Sequence, residues 1–189
     1  MESIRMITDN YKNQQSKLHK TTNWGANSRM QVPRVFNIPE LIEKYNVETL
    51  LDFGCGQGGL HKYLKKSCKL KDARGYDPCV EKYEIIPDYK FDMVVSLDVL
   101  EHIEPQFIDD TLKLINDKFT KISFLDLHTS AAKRLLPDGR NAHLIQEQPE
   151  WWQEKISKFI DGEIIEQKWL PFNKNKHTRA VNYLFVIKK

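Results

Sequence analysis

The sequence predicts an α/β fold, a mostly parallel sheet covered by helices on both faces, and three observations predict it. Short apolar runs alternate with helical periodicities from residue 38 onward. The first of these runs, "TLLDF", opens onto four glycines within six residues, "GCGQGG", just where a helix should begin. The 189 residues, 40% hydrophobic and 29% charged, suit one domain with a single core.

Residues 1–30 are polar and carry capping and turn residues ("NQQ", "TTNWGANS"), so they read as an N-terminal arm, either a lid over a site or a loosely attached tail, with the domain proper spanning 31–189. "IPELIEKYNV" places Ile38, Leu41, Ile42 and Tyr45 at helical spacing, with Pro39 and Glu40 in the first turn. "TLLDF" is a strand, "GLHKYLKKS" a helix, "ARGYD" a short strand, and "FDMVVSLDVL" a strand running into a polar end. "QFIDDTLKLINDKF" is an amphipathic helix, "KISFLDLH" a strand, and "QPEWWQEKISKFI" a helix whose Trp151 and Trp152 are better suited to packing than to stacking on a ligand. "EIIEQKWL" and "AVNYLFVIKK" close the sheet as two strands.

Composition excludes little by itself. A net charge of +3 does not require nucleic acid, and no apolar run approaches the roughly 18 residues of a membrane span. The N-terminal residues lack the apolar centre of a signal peptide, so a cytoplasmic protein is expected. Cys55, Cys68 and Cys79 form no C-x-x-C pair and read as free thiols. His19, His61, His128 and His177 are scattered over different elements, so no metal site is expected.

Gly54, Gly56 and Gly58 allow a sharp turn and close approach of backbone to a ligand, which serves a dinucleotide, a methyl donor or a tight turn alone. The flanking acids separate the ligands. Asp52 before the loop would repel a pyrophosphate, and Asp77, about 20 residues further on, is where a carboxylate accepts hydrogen bonds from ribose hydroxyls. Two carboxylates and no phosphate-binding lysine favour S-adenosylmethionine.

"LLDFGCGQGGL", "GYDP" and "FDMVVSLDVLEHIEP", taken together, resemble the first, second and fourth motifs of class I S-adenosylmethionine-dependent methyltransferases, over roughly residues 38–128. "LPDGRNAHLIQEQPEWW" is similar to a segment of small phage and bacterial methyltransferases. The resemblance implies a Rossmann-like three-layer sandwich whose last strand is antiparallel. It implies S-adenosylmethionine as methyl donor and S-adenosylhomocysteine as product. Gly54, Cys55 and Gly56, with Asp52 and Phe53 before them, would line the methionine part; Asp77, followed by Pro78, would hold the ribose; Leu97, Asp98 and Val99 would pass close to the site. One departure is a gap of only fourteen residues, 78–91, where the family fits a helix and a third strand. That strand is expected to be reduced or missing, giving the family order 2-1-4-5-7-6, and the adenine contact falls to Tyr89 or Pro78 as weak candidates.

Methyl transfer needs an in-line nucleophile and a proton acceptor. Glu101 and His102 follow the third strand of this chain, and His102 is the first candidate base, the alternative being that it orients a loop end. "DGRNAH", Asp138 to His143, offers Arg140 for an anionic group and His143 for a proton, or else folds on its own hydrogen bonds. The motif by which base-amine methylating enzymes follow this strand is absent, and the Pro78–Cys79 pair lies on the ribose side, away from where a cytosine-attacking thiolate is needed. The expected acceptor is therefore a small polar molecule, anionic ones included. The alternatives are a nucleic-acid methyltransferase and a non-catalytic cofactor-binding module.

Overall fold

A sheet buried on both faces needs strands that are apolar at consecutive positions, and this sequence supplies them. The computed structural model describes residues 6–22, 37–170 and 182–189. Six strands, β1 (Thr49–Phe53), β2 (Asp72–Tyr76), β3 (Phe91–Leu97), β4 (Phe119–His128), β5 (Glu163–Trp169) and β6 (Asn182–Lys188), form one sheet in the order β2-β1-β3-β4-β6-β5. The pairs among β1, β2, β3 and β4 are parallel, and β6 runs antiparallel to both β4 and β5. This is the order expected from the sequence, with β3 to β6 here corresponding to the family's fourth to seventh strands.

Alternate side chains of each strand feed two cores. Leu50, Met93, Val95, Ile122, Phe124, Leu184 and Val186 pack on one face against α2 (Ile38–Lys44) and α3 (Gly59–Ser67). Leu51, Phe53, Val94, Leu125, Leu127, Phe185 and Ile187 pack on the other against α4 (Ile108–Lys118) and α5 (Pro149–Phe159). A register irregularity between Phe91 and Met93 puts Phe91 in the second core despite its matching parity with Met93. Trp152 is fully buried there with Trp151 packed beside it, which settles the tryptophan pair as packing.

Between Asp77 and Phe91 the structure has a single 3-10 turn, Glu81–Tyr83, and no strand, so β2 is the sheet edge. All three cysteines are free. Among the described residues no helix is long and apolar enough to cross a membrane.

Part of the N-terminal segment, read from the sequence as a lid or a tail, is helical. Asp9–Thr21 is a helix, α1, capped by the Thr8 hydroxyl, and it buries Tyr11 and Gln15. Tyr11 joins Leu136 and Ala142 in a small third cluster, with Ile7 and Leu18 against it. Residues 1–5 and 23–30 of the expected arm lie outside the described residues.

Candidate functional site

The carboxyl ends of β1 to β4 converge on one edge of the sheet, and each carries a segment with chemistry. After β1 the chain turns through Gly54, Gly56 and Gly58, all at positive φ (77°, 50° and 72°). Gly54 has a second constraint: a Cβ there would lie 2.4 Å from a Val99 methyl, so the bare backbone is what lets the segment after β3 close on the loop. Asp77, buried after β2, braces that turn. One carboxylate oxygen accepts from the Gly56 N–H and the other from the Cys79 N–H, each at 2.9 Å. Its own N–H donates to the Tyr83 carbonyl. Tyr83, which no sequence motif marks, packs edge-on to His61 at 5.3 Å.

The buried carboxylate of Asp52 accepts from the His61 N–H and pairs with His61 Nδ1 at 3.3 Å, which ties the end of β1 to α3. Burial raises its pKa against the lowering effect of His61. Phe53 and Cys55 are buried, and burial pushes the Cys55 thiol up, away from reactivity. Pro78 sits in the turn after Asp77. Tyr89 is not near the glycine loop: its hydroxyl donates to Asp72 at the amino end of β2, because the short connection must run back along the sheet edge to start β3.

At the end of β3, Leu97 reaches the core and Asp98 takes a positive φ of 52°, which carries the chain across the glycine turn at Val99. Strain of this kind in a non-glycine residue marks a constrained site. The Asp98 carboxylate accepts from Asn182 at 2.6 Å, and the same amide donates to Asp126, fully buried in β4. Burial raises both acids, and Asp98 raises Asp126 further.

Glu101, also fully buried, accepts from the His128 N–H through Oε1, while its Oε2 has no hydrogen-bond partner in the described structure. Burial and then Asp98 hold its pKa well above the usual carboxyl range.

Next to Glu101, three imidazoles from distant parts of the chain gather. His102 Nδ1 is 2.7 Å from the Ala142 carbonyl and His143 Nδ1 is 2.5 Å from the Ser130 carbonyl. A carbonyl can only accept, so each Nδ1 donates and each Nε2 carries the lone pair. The rings lie 4.8 Å apart, and His128 approaches His143 at 4.5 Å. Burial, then the charge of His143, lowers His102 and His128 to about 4, and burial lowers His143 as well. All three are neutral at neutral pH.

Arg140 is not part of this group. Its guanidinium bonds Asp138 through Nε at 2.9 Å and Nη2 at 2.8 Å and lies over the Tyr11 ring. The "DGRNAH" turn thus sends His143 inward and Arg140 outward, because Asn141, between them, ties the loop to Ala132 at both its amide oxygen and its nitrogen.

Helix α1 crosses this edge and touches every loop on it. Gln57 donates to the His19 carbonyl, Ser16 to the Cys79 carbonyl, and Tyr11 to the His102 carbonyl at 2.7 Å. Thr8 donates twice to Glu104, and Gln14 to Asp138. His19 Nε2 stands 3.9 Å from the Asp77 carboxylate.

A glycine turn that a side chain would block, a braced carboxylate after β2 and a third segment crossing them define a class I nucleotide-type site on a Rossmann-like sheet. The sequence profile of a family described as a methyltransferase domain matches residues 19–177, and the chain belongs to that family.

Solved structures agree on the fold. The chain is similar to a 1,6-didemethyltoxoflavin-N1-methyltransferase of Burkholderia thailandensis, solved with 1,6-didemethyltoxoflavin and S-adenosylhomocysteine, at TM-score 0.67 and 12% identity over 100% of this chain and 93% of that one. It is similar to an S-adenosylmethionine-dependent methyltransferase of Clostridium acetobutylicum (TM-score 0.61, 14% identity, 80% and 88% covered). A small-RNA methyltransferase matches at TM-score 0.61 and 14% identity, over 83% of this chain and 25% of that one. No curated protein matches the sequence. The protein is an S-adenosylmethionine-dependent methyltransferase.

Proposed function

We propose that the chain methylates a small polar molecule, anionic ones included, in a crevice closed by α1. The observation that supports a small acceptor is the helix itself, which is tied to the loops after β1, β2, β3 and β4 and lies across the edge a polymer would need open. We assign the donor half to Gly54, Cys55, Gly56, Asp77, Pro78, Leu97, Asp98 and Val99. The bare turn at Gly54 fits a bulky ligand laid against backbone, and Asp77 keeps lone pairs for ribose hydroxyls after accepting from Gly56 and Cys79. S-adenosylmethionine, when bound, supplies a methyl group on a sulfonium sulfur.

The acceptor half is the wall of His102 and His143. Their neutral rings turn lone pairs toward a polar group of the acceptor, and Ala142 and Ser130 fix the ring orientation. Asp52 stabilises the turn through His61 instead of meeting the ligand. Arg140 fastens the loop to α1.

The test offers the protein and methyl donor three pools: small hydroxy and carboxylic acids, small amines, and RNA and DNA oligonucleotides. Release of S-adenosylhomocysteine is measured. Turnover with a small-molecule pool is expected; turnover with oligonucleotides alone would replace this reading by the nucleic-acid one, and no turnover despite cofactor binding would favour a binding module.

A further inference from the structure

Three carboxyl groups cluster beside the proposed acceptor wall. Glu101 and Asp126 are fully buried and Asp98 is half-buried, and among the described residues no lysine or arginine forms an ion pair with any of them. Asn182 serves two of them and one backbone N–H serves the third. Buried carboxylates without compensating charge are costly, and a cation is one arrangement that relieves the cost. The unpartnered Oε2 of fully buried Glu101 is the second sign, since a native buried oxygen rarely goes unused.

We propose that Glu101, His102 and His143 bind a first-row divalent transition-metal cation on the acceptor side of the crevice. One ligand atom from each lies within 4.8 Å of the others. Metal bonds of about 2.0 to 2.2 Å require each atom to move inward by less than about 1 Å. Two imidazoles and one carboxylate are the donor set of zinc, iron and similar ions, and too rich in nitrogen for magnesium or calcium.

The surroundings fit as well. Each imidazole donates its Nδ1 proton to a backbone carbonyl, Ala142 for one and Ser130 for the other, the contact that fixes a metal-bound histidine in the Nε2-ligating tautomer. Three protein ligands leave coordination positions open for an oxygen of the acceptor. This inference rests on the acceptor-side placement proposed above and revises it: His102 and His143 act as ligands, and neither serves as the base suggested by the sequence.

The test uses tag-free full-length protein stripped of metal and titrated with Co²⁺ and Zn²⁺, read by visible absorption and calorimetry, with no methyl acceptor present. One equivalent per chain is expected, with the visible bands of imidazole-ligated Co²⁺. His143→Asn and Glu101→Gln should each weaken binding about 100-fold or more while S-adenosylhomocysteine affinity stays within a factor of about two. In the unaltered protein, bound Co²⁺ should shift the ring NMR signals of His102 and His143. Absence of stoichiometric binding, equal binding by the variants, or unmoved ring signals would overturn the site. Metal binding with no turnover of any small acceptor would overturn the acceptor reading and leave the site standing.

Discussion

The two halves of the proposed crevice, donor and acceptor, are built in opposite ways. The donor half is backbone and local sequence: a glycine turn, an acid after the next strand, and one valine across from it. The acceptor half is side chains brought from residues 101, 102, 128 and 143 by the ends of two strands and a long loop. A site made of backbone is specified by spacing, and a site made of distant side chains is specified only by the fold. That is why the first tolerates many acceptors across a family and the second can be rebuilt without disturbing it.

The sharpest way to break this comparison is to damage one half and watch the other. His143→Ala should lower turnover about 100-fold or more with S-adenosylhomocysteine affinity changed by no more than a factor of about two, because the ring touches the His102 cluster and not the glycine loop. Single-turnover kinetics beside calorimetry would decide it. Parallel loss of binding and turnover would mean that the two halves are one structural unit.

Damage to the donor half should do the reverse. Asp77→Ala removes the carboxylate proposed for the ribose and also strands the Gly56 and Cys79 N–H groups, so cofactor binding should weaken by at least about 1.5 to 3 kcal/mol. Gly54→Ala forces a side chain into positive φ and against Val99, at a cost of about 1 to 3 kcal/mol in the shape of the turn. Both should be read as methyl-donor affinity by calorimetry, with the folded state checked by thermal unfolding. Unchanged affinity in either would move the cofactor away from this turn.

The same difference governs what the sequence could tell. The sheet order was legible because Leu50 and Leu51, or Met93 and Val94, are apolar on both faces and the short 78–91 segment leaves no room for another strand. The turn at Gly54 was legible from glycine spacing, whereas the bracing of that turn by Asp77 was not. Helix α1 was not, because it offers few apolar residues and is held by polar contacts to residues 57, 79, 102, 104 and 138 that no local pattern announces. The histidine and carboxylate cluster was hidden for the same reason: Glu101 and His102 are adjacent, but His143 and His128 are joined to them only by the turn of a loop pinned at Asn141.

The smallest expected effect is the most discriminating one, since it concerns two residues three positions apart in "DGRNAH". Arg140 is largely outside, paired with Asp138 and set 5.6 Å from the centre of the Tyr11 ring. An exposed ion pair contributes little to stability, and an exposed cation over a ring about 0.5 to 1 kcal/mol. Arg140→Ala should therefore lower the unfolding temperature slightly and leave kcat within a factor of about two. Any rise in KM should be modest and should be reproduced by Tyr11→Leu, which removes the other face of the same contact along with the hydroxyl that holds the His102 carbonyl. If Arg140→Ala instead abolished turnover at intact cofactor affinity, as expected of His143→Ala, its guanidinium would have to swing off Asp138 toward the acceptor, and the outward half of this loop would belong to the site.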